Sequence, residues 1–368
     1  MASQATSLAA ALLSCARPAA KAHWIGLVQG TLAAIAELAA AGIDVPLHRV
    51  GALHVACGDA GRAALADTAT ASASLGVRSD AVVPKDFSLR LPWLDLSRFD
   101  AAQWYPDEAF TDPYLLASAY ATAARRLGVR FEIGADVRLI RQGDGANALI
   151  GDRVLAPETI WITCGAWSGA LLAPLGIGLA QGAVRSQYWI SGGATRMPAD
   201  MPMLLAPDLR LYARPELGSV LFGLRETGGK ACRSAAFPDD LDGFQFDAAD
   251  GEGYRSLEAN AASLATHAPG LTNMGLRHYV SGPSCYAPDG DFLVGRLGGA
   301  ANVCVLAGCN GAGIAASAGL ADLAAGGEAS PDAGLPARLA PDRFGQVDAD
   351  GDDFLARCIA ARAGKCSA

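Results

Sequence analysis

The residues best suited to chemistry lie near the end of the chain. They are Leu306-Ala307-Gly308-Cys309-Asn310-Gly311-Ala312-Gly313-Ile314. The pattern predicts a buried strand ending at Gly308 and a helix opening near Gly311. Small residues let the backbone approach a ligand. A helix start adds free N–H groups and partial positive charge. Such a turn suits the anionic edge of a cofactor, although a tight strand–helix turn without a ligand has the same composition. Upstream, Arg277 has a planar fork that matches a carboxylate bidentately, on a substrate or in an ordinary salt bridge. Tyr279, Tyr286 and Tyr212 have the form of pocket walls or of half-buried packing residues. His54 and His278 read as polar pocket groups or as satisfied structural histidines.

Alternating elements must position these residues. A helix is predicted over 18–42, with Pro18 near its start and Gly42 at its end. His48–Ala56 alternates like a strand, and 59–76 reads as a helix. The clearest helix runs over 111–128, with Asp112 as N-cap, Pro113 at the first helical position and Gly128 as C-cap. Strands follow at Val129–Ile133, Asp136–Gln142, Asn147–Ile150 and Thr159–Thr163, then a helix at 167–175. The middle favours strands at Arg185–Ser191, Leu209–Arg214, Val220–Leu224 and Leu276–Ser281, with one helix over 251–267. Strand Asn302–Ala307 leads through the Gly-rich turn into a helix over 311–325, and 352–364 is a short terminal helix. This order implies an interleaved α/β plus α+β architecture, without internal repeats.

Bulk properties narrow the classes. Of the 368 residues, 51% are hydrophobic and 18% charged, a globular composition. Net charge is −8 and no basic run occurs, which argues against nucleic-acid partners. The nine cysteines form no CxxC pair and no zinc spacing, a pattern of reduced thiols that points to the cytoplasm. Leu12–Cys15 resembles a lipoprotein cleavage box, but residues 1–14 hold no Lys or Arg. No apolar run has the length to span a bilayer. Asp348–Asp353 has the acidity of a calcium loop but lacks Gly at its sixth position and Glu at its twelfth. No metal is expected.

The motifs share an order with a known family. Arg277-x-Tyr279, Gly282-Pro283, Pro288-Asp289-Gly290, Phe292-Leu-Val-Gly295 and the Gly308–Gly313 turn resemble the FAD-dependent D-amino-acid oxidase-like superfamily. The spacing is most similar to its sarcosine and dimethylglycine dehydrogenase branch, as is Asp342-Arg343-Phe344. Ala5-Thr6-Ser7 resembles the loop that lies against the flavin, and Gly51–Val55 its early strand. Thr111–Ile140 resembles the helix–strand pair that brings Val137 to the adenine side. Ile162-Thr163-Cys164-Gly165-Ala166-Trp167-Ser168 is similar to the turn under the cofactor.

The resemblance implies an FAD-binding Rossmann-like domain of glutathione-reductase type, formed by 1–50, 108–180 and 283–345. It would interleave with an antiparallel-sheet substrate domain, 51–107 and 181–282, and 346–368 would be a tail. It further implies oxidation of a C–N bond of a small amine or amino acid by hydride transfer to flavin N5. Arg277, Tyr279 and Tyr286 would face substrate. Thr6, Ser7, Val137, Thr163, Gly165, Trp167, Asp289, Gly308, Asn310, Gly311, Ala312, Gly313 and Ile314 would face FAD. Gly282 stands where some members carry a flavin-attaching Cys, which implies non-covalent FAD. One departure is large. The strand, G-x-G-x-x-G turn and helix that seat the dinucleotide pyrophosphate are not found in residues 1–368. Met1–Ser7 looks like the stretch that follows them. The expectation is an incomplete domain, completed from upstream or by a partner subunit, or else a remnant that binds a partner without FAD.

Overall fold

A computed structural model describes residues 4–193, 197–326 and 337–365. In chain order the elements begin with β1 (Leu12–Leu13), α1 (Trp24–Ala40), β2 (Leu47–His48), β3 (Ala52–Ala56) and α2 (Gly58–Ala73). Then come β4 (Asp80–Val82), β5 (Ala101–Tyr105), β6 (Ala109–Thr111) and α3 (Pro113–Arg126). A meander, β7 (Val137–Gln142), β8 (Gly145–Ile150) and β9 (Arg153–Leu155), precedes β10 (Ile160–Ile162) and α4 (Ser168–Leu172). The middle holds β11 (Gly182–Ser191), β12 (Met203–Ala206), β13 (Leu211–Glu216), β14 (Ser219–Leu224), β15 (Ala231–Cys232), α5 (Tyr254–His267) and α6 (Pro269–Met274). Last are β16 (Leu276–Tyr286), β17 (Leu293–Arg296), β18 (Val303–Ala307), α7 (Ser317–Gly326) and α8 (Asp352–Ala363).

Two sheets matter for function. The larger has the order β15-β11-β14-β13-β12-β3-β5-β4, with β16 also paired to β11. All its pairings are antiparallel except β12 with β3. β11 and β16 run together from Gly182 opposite Tyr286 to Ser191 opposite Leu276. One core lies on this sheet, with Trp93, Trp189, Phe222, Leu53 and Leu91 buried. Each such side chain contributes about 1.5–3 kcal/mol by leaving water.

The smaller sheet, β10-β18-β17, joins β10 to β18 in parallel and β17 to β18 antiparallel. Its core includes Trp24, Phe292, Val294, Ala312, Ala316 and Leu320. Against it α1 and α7 approach closely. A Cβ on Gly30 would stand 3.0 Å from Gly319 Cα, and one on Gly319 would stand 2.4 Å from Leu27 O. Only glycine at both positions permits that contact.

Local sequence explains several boundaries. Asp112 caps α3 by accepting from Leu115 N at 2.8 Å, and Pro113 occupies the first turn. Gly128, at φ +89°, ends it. The expected strand His48–Ala56 is split at Gly51, whose φ is +69°. Three further expectations are corrected. The helix expected over 18–42 starts only at Trp24, after a 3-10 turn over Ala19–Lys21. β16 continues five residues past Ser281, because β11 offers a partner along its whole length. Val129–Ile133 forms no strand; among the described residues no strand pairs with it, and Val129 and Ile133 are exposed at 52% and 67%.

Candidate active site

β16 delivers its last residue, Tyr286, to the Gly-rich turn, and the turn is fastened to that strand end. Asn310 N donates to Cys285 O at 2.8 Å, and Asn310 Oδ1 accepts from Ala287 N at 3.1 Å. Asn310 Nδ2 donates to Gly308 O. Asn310 is buried with φ +46°, a left-handed conformation that Asn tolerates better than most residues. Its side chain is thus spent on shaping the turn. Gly308 and Gly311 also have positive φ, +60° and +68°. A Cβ on Gly311 would stand 2.6 Å from Tyr286 Oη and 2.9 Å from Lys365 Nζ.

The helix start differs from expectation. α7 begins at Ser317 rather than Gly311, and an irregular turn fills 311–316. Ala312 N is occupied by Cys309 O at 2.8 Å. Gly308 N donates to Gln181 Oε1 at 2.9 Å, while Gln181 Nε2 donates to Gly165 O at 2.7 Å. One amide therefore ties together the loops that follow β10 and β18. Sequence reasoning missed Gln181, because a lone glutamine at a strand entrance carries no motif.

The other expected residues divide between the turn and more distant places. Trp167 donates to Pro238 O at 2.7 Å and shares a buried cluster with Cys285 and Cys309. Ala312 and Ile314 point into apolar cores. Gly313 closes on Cys309, whose Cβ would lie 3.1 Å from an added Cβ. Thr6 and Ser7 lie on a turn in which Ser7 Oγ donates to Gln4 O; the adjoining Leu8 packs on Gly282. Thr163 is exposed just past β10. Val137 stands exposed in the meander. Asp289 is spent on structure, because Arg343 grips it through Nε at 2.8 Å and Nη2 at 2.9 Å.

Of the three residues expected to face substrate, only Tyr286 reaches the turn. Arg277 is exposed at the start of β16. Tyr279 stacks near Trp189 and donates to Gln187 Oε1 at 2.8 Å. Nine residue steps of strand separate Arg277 from Tyr286, roughly 30 Å. His54 is buried beside Tyr105, and His278 is exposed.

A second group of buried charges acts on Lys365, which lies beside the turn. Arg17, fully buried, spends Nη1 on Ala16 O at 2.8 Å, while Nε and Nη2 have no partner. Glu108 holds that segment by accepting from Cys15 N at 2.7 Å and Ala16 N at 2.9 Å. Burial raises the Glu108 carboxyl above its ordinary value, and burial with the Arg17 charge lowers His54 to about 3. From the other side α8 brings Arg362 and Lys365. Burial raises the hydroxyls of Tyr286 and Tyr212, so both stay protonated at neutral pH.

Comparison with known proteins places this arrangement. Residues 1–326 match the DAO family, FAD dependent oxidoreductase, and the chain belongs to that family. Its members are flavoprotein oxidoreductases that use FAD. The chain is similar to the mitochondrial dimethylglycine dehydrogenase of Rattus norvegicus, 25% identical over 239 residues. That stretch covers 62% of this chain and 27% of the rat protein, so the chain spans about a quarter of its curated relative. Among solved structures it resembles L-proline dehydrogenase from P. horikoshii, with a TM-score of 0.76 and 16% identity over 93% of this chain and 88% of that one. It also resembles glycine oxidase from Geobacillus kaustophilus, with a TM-score of 0.72 and 20% identity over 93% and 90%. Iminodiacetate oxidase from Chelativorans sp. BNC1 gives 0.72 and 20% over 92% and 89%. At these identities the structural likeness concerns the fold.

The residues at the turn fit the ring end of FAD. The backbone bend at Gly308–Gly311 carries no large side chain of its own, and Arg17, whose charge acts on Lys365 beside that bend, holds two buried donors without acceptors, which an anionic group would satisfy. For the pyrophosphate end, residues 1–368 contain no strand, G-x-G-x-x-G turn and helix. Among the described residues no helix is long and apolar enough to cross a membrane, and no group of His, Cys, Asp and Glu has the form of a metal site.

Proposed function

We propose that the chain oxidises a C–N bond of a small amine or amino acid, with hydride transfer to flavin N5. The observation that carries this reading is the meeting of Tyr286 and the Gly308–Gly313 turn at one strand end, with Lys365 beside them and the Arg17 charge acting on it. Dimethylglycine, proline, iminodiacetate and glycine, which stand in the names of the relatives, are all small amino or imino acids. Bound FAD supplies the two-electron acceptor; the protein's part is binding and orientation. Gly308, Gly311 and Gly313 would hold the ring edge, with Asn310 shaping the bend and Arg17 facing negative charge. Tyr286 and Tyr212 would orient the amine by donating hydrogen bonds. FAD is held without a covalent bond, since glycine occupies position 282. In this reading 1–50, 108–180 and 283–345 form the cofactor domain, and 51–107 with 181–282 the substrate domain. A strand–turn–helix outside residues 1–368, on this polypeptide or a partner subunit, provides the pyrophosphate seat. The free edge of β10 and the unpaired Val129–Ile133 are where its strands would pair. The cytoplasm suits the free thiols of Cys15, Cys57, Cys164, Cys232, Cys285, Cys309 and Cys358.

One observation favours a second reading, a binding protein without FAD. Lys365 Nζ donates to Gly311 O at 2.7 Å and so lies over the turn. The test is a visible spectrum of purified protein after excess FAD has been removed by gel filtration. Retained flavin bands that bleach on adding amine support oxidation. Folded protein without flavin supports the second reading.

A further inference from the structure

The Gly-rich turn carries a thiol that the redox reading leaves unused. Cys309 stands between Gly308 and Asn310 and is half-buried, whereas Cys285, the penultimate residue of β16, is 3% exposed. One carbonyl touches both. Cys309 Sγ lies 3.6 Å from Cys285 O, and the next backbone amide, Asn310 N, donates to the same oxygen at 2.8 Å. That pairing keeps the two Cα atoms within roughly 7 Å, the reach of a disulfide. Cys309 also packs on the apolar cluster of Cys285, Ala166 and Ala183. Ser284 Oγ lies 3.4 Å from its sulfur and can hydrogen-bond it. A third thiol, Cys358 on α8, packs instead with Val184 and Tyr286. Consecutive strand residues point to opposite faces, so Cys358 serves the face of Tyr286 and Cys285 looks away from it.

We infer that Cys309 and Cys285 form an oxidation site that closes a disulfide when the chain meets a peroxide. In the first step the Cys309 thiolate takes one peroxide oxygen and becomes a sulfenic acid, while the O–O bond breaks and hydroxide leaves. In the second step the Cys285 sulfur attacks the Cys309 sulfur. The S–O bond breaks, and the departing hydroxide takes the Cys285 proton as water. The sum is two thiols and one hydrogen peroxide giving one disulfide and two waters. Cys309 reacts first because it is the reachable thiol. Burial, with Cys309 and Cys358 nearby, raises the Cys285 thiol well above its ordinary value and keeps it protonated until then. Gly308 and Asn310, on either side of Cys309, have φ of +60° and +46°. A bond at Cys309 therefore acts on the bend that the proposed function gives to the flavin ring, yet it needs no flavin to form.

The test is peptide mapping of the full chain after brief exposure to hydrogen peroxide, with remaining thiols blocked by N-ethylmaleimide before digestion. Trypsin cuts after Arg296 and so separates the two cysteines; fragmentation tells Cys309 from Cys304 on their shared peptide. A Cys285–Cys309 bridge is expected, and dithiothreitol should remove it. Cys285→Ala should abolish the bridge and raise the dimedone-trapped sulfenic acid at Cys309 by about tenfold over wild type, because nothing then resolves it. Cys358→Ala should leave the bridge intact. Circular dichroism keeps misfolded variants out of the comparison. Wild-type chain recovered with Cys285 and Cys309 both alkylated and unbridged overturns the inference. So does a bridge from Cys285 to Cys358, or folded Cys285→Ala that traps no sulfenic acid at Cys309. Amine-dependent flavin bleaching is measured separately, so its failure beside an intact Cys285–Cys309 bridge would sink the redox reading alone.

Discussion

The two ends of β16 have similar residues and opposite fates. At one end Arg277 is exposed, and Tyr279 packs on Trp189 with its hydroxyl satisfied by Gln187. At the other end Tyr286 is 2% exposed and meets a backbone bend, a lysine and two arginines. Composition is nearly the same; what differs is what the neighbouring chain brings to each end. The first end faces the rim of the large sheet. The second lies against α8 and the Gly308–Gly311 bend. Arginine and tyrosine close in sequence do not make a site when an extended strand carries them apart by about 3.3 Å per residue.

This contrast can be broken by substitution. The largest effect should come from Tyr286→Ala, which empties a fully buried aromatic position. A loss of about 3–5 kcal/mol in urea unfolding is expected, together with lost flavin retention. A loss below about 1 kcal/mol would mean that the strand end is slack.

Acidification should come next. His54 is lowered to about 3 by burial and by Arg17, against an ordinary value near 6.5. The unfolded chain therefore takes up this proton at a higher pH than the folded one. Stability is fully present above about pH 6.5 and falls as pH drops toward 3, by at most roughly 1.4 kcal/mol per unit. From pH 6.5 to 5 the loss should approach 2 kcal/mol, and His54→Phe should flatten that slope.

Gln181→Ala should cost about 1–2 kcal/mol, because it strands Gly308 N and Gly165 O at once. Flavin retention should fall with it, while Gln187→Ala, at mid-strand where its side chain serves Tyr279, should spare the flavin. Arg277→Ala should be the mildest, within about 0.5 kcal/mol of wild type and with unchanged amine affinity. An effect on amine affinity there would show that the exposed end belongs to the site after all.

What the sequence made legible follows the range of the interactions. The α3 boundaries were readable because Asp112, Pro113 and Gly128 act on their own backbone. The bend at Gly308–Gly311 was readable because glycine just after a strand permits the left-handed φ that such a turn needs. The full length of β16 was not, since β11 lies almost a hundred residues away and supplies every partner. Asp289 looked like a ligand contact, and only the fold shows that Arg343, 54 residues later, takes both its oxygens. Gln181 and Lys365 left no local trace, because their roles exist only once distant loops meet. Val129–Ile133 shows the reverse: its strand propensity is plain, and no strand among the described residues pairs with it.

That last segment has a practical consequence. Phe131 is covered on one side by the Arg125 guanidinium, 4.7 Å from the ring centre, and Leu127 is 86% exposed. An exposed, β-branched run that pairs with no strand among the described residues is a template on which another chain can add itself. Association through it is expected to grow with concentration and to leave the proposed redox site untouched. Sedimentation should therefore show larger species at higher loading, and Val129→Lys with Ile133→Lys should keep the protein monodisperse. Such a variant would be the form to take into spectroscopy and crystallisation.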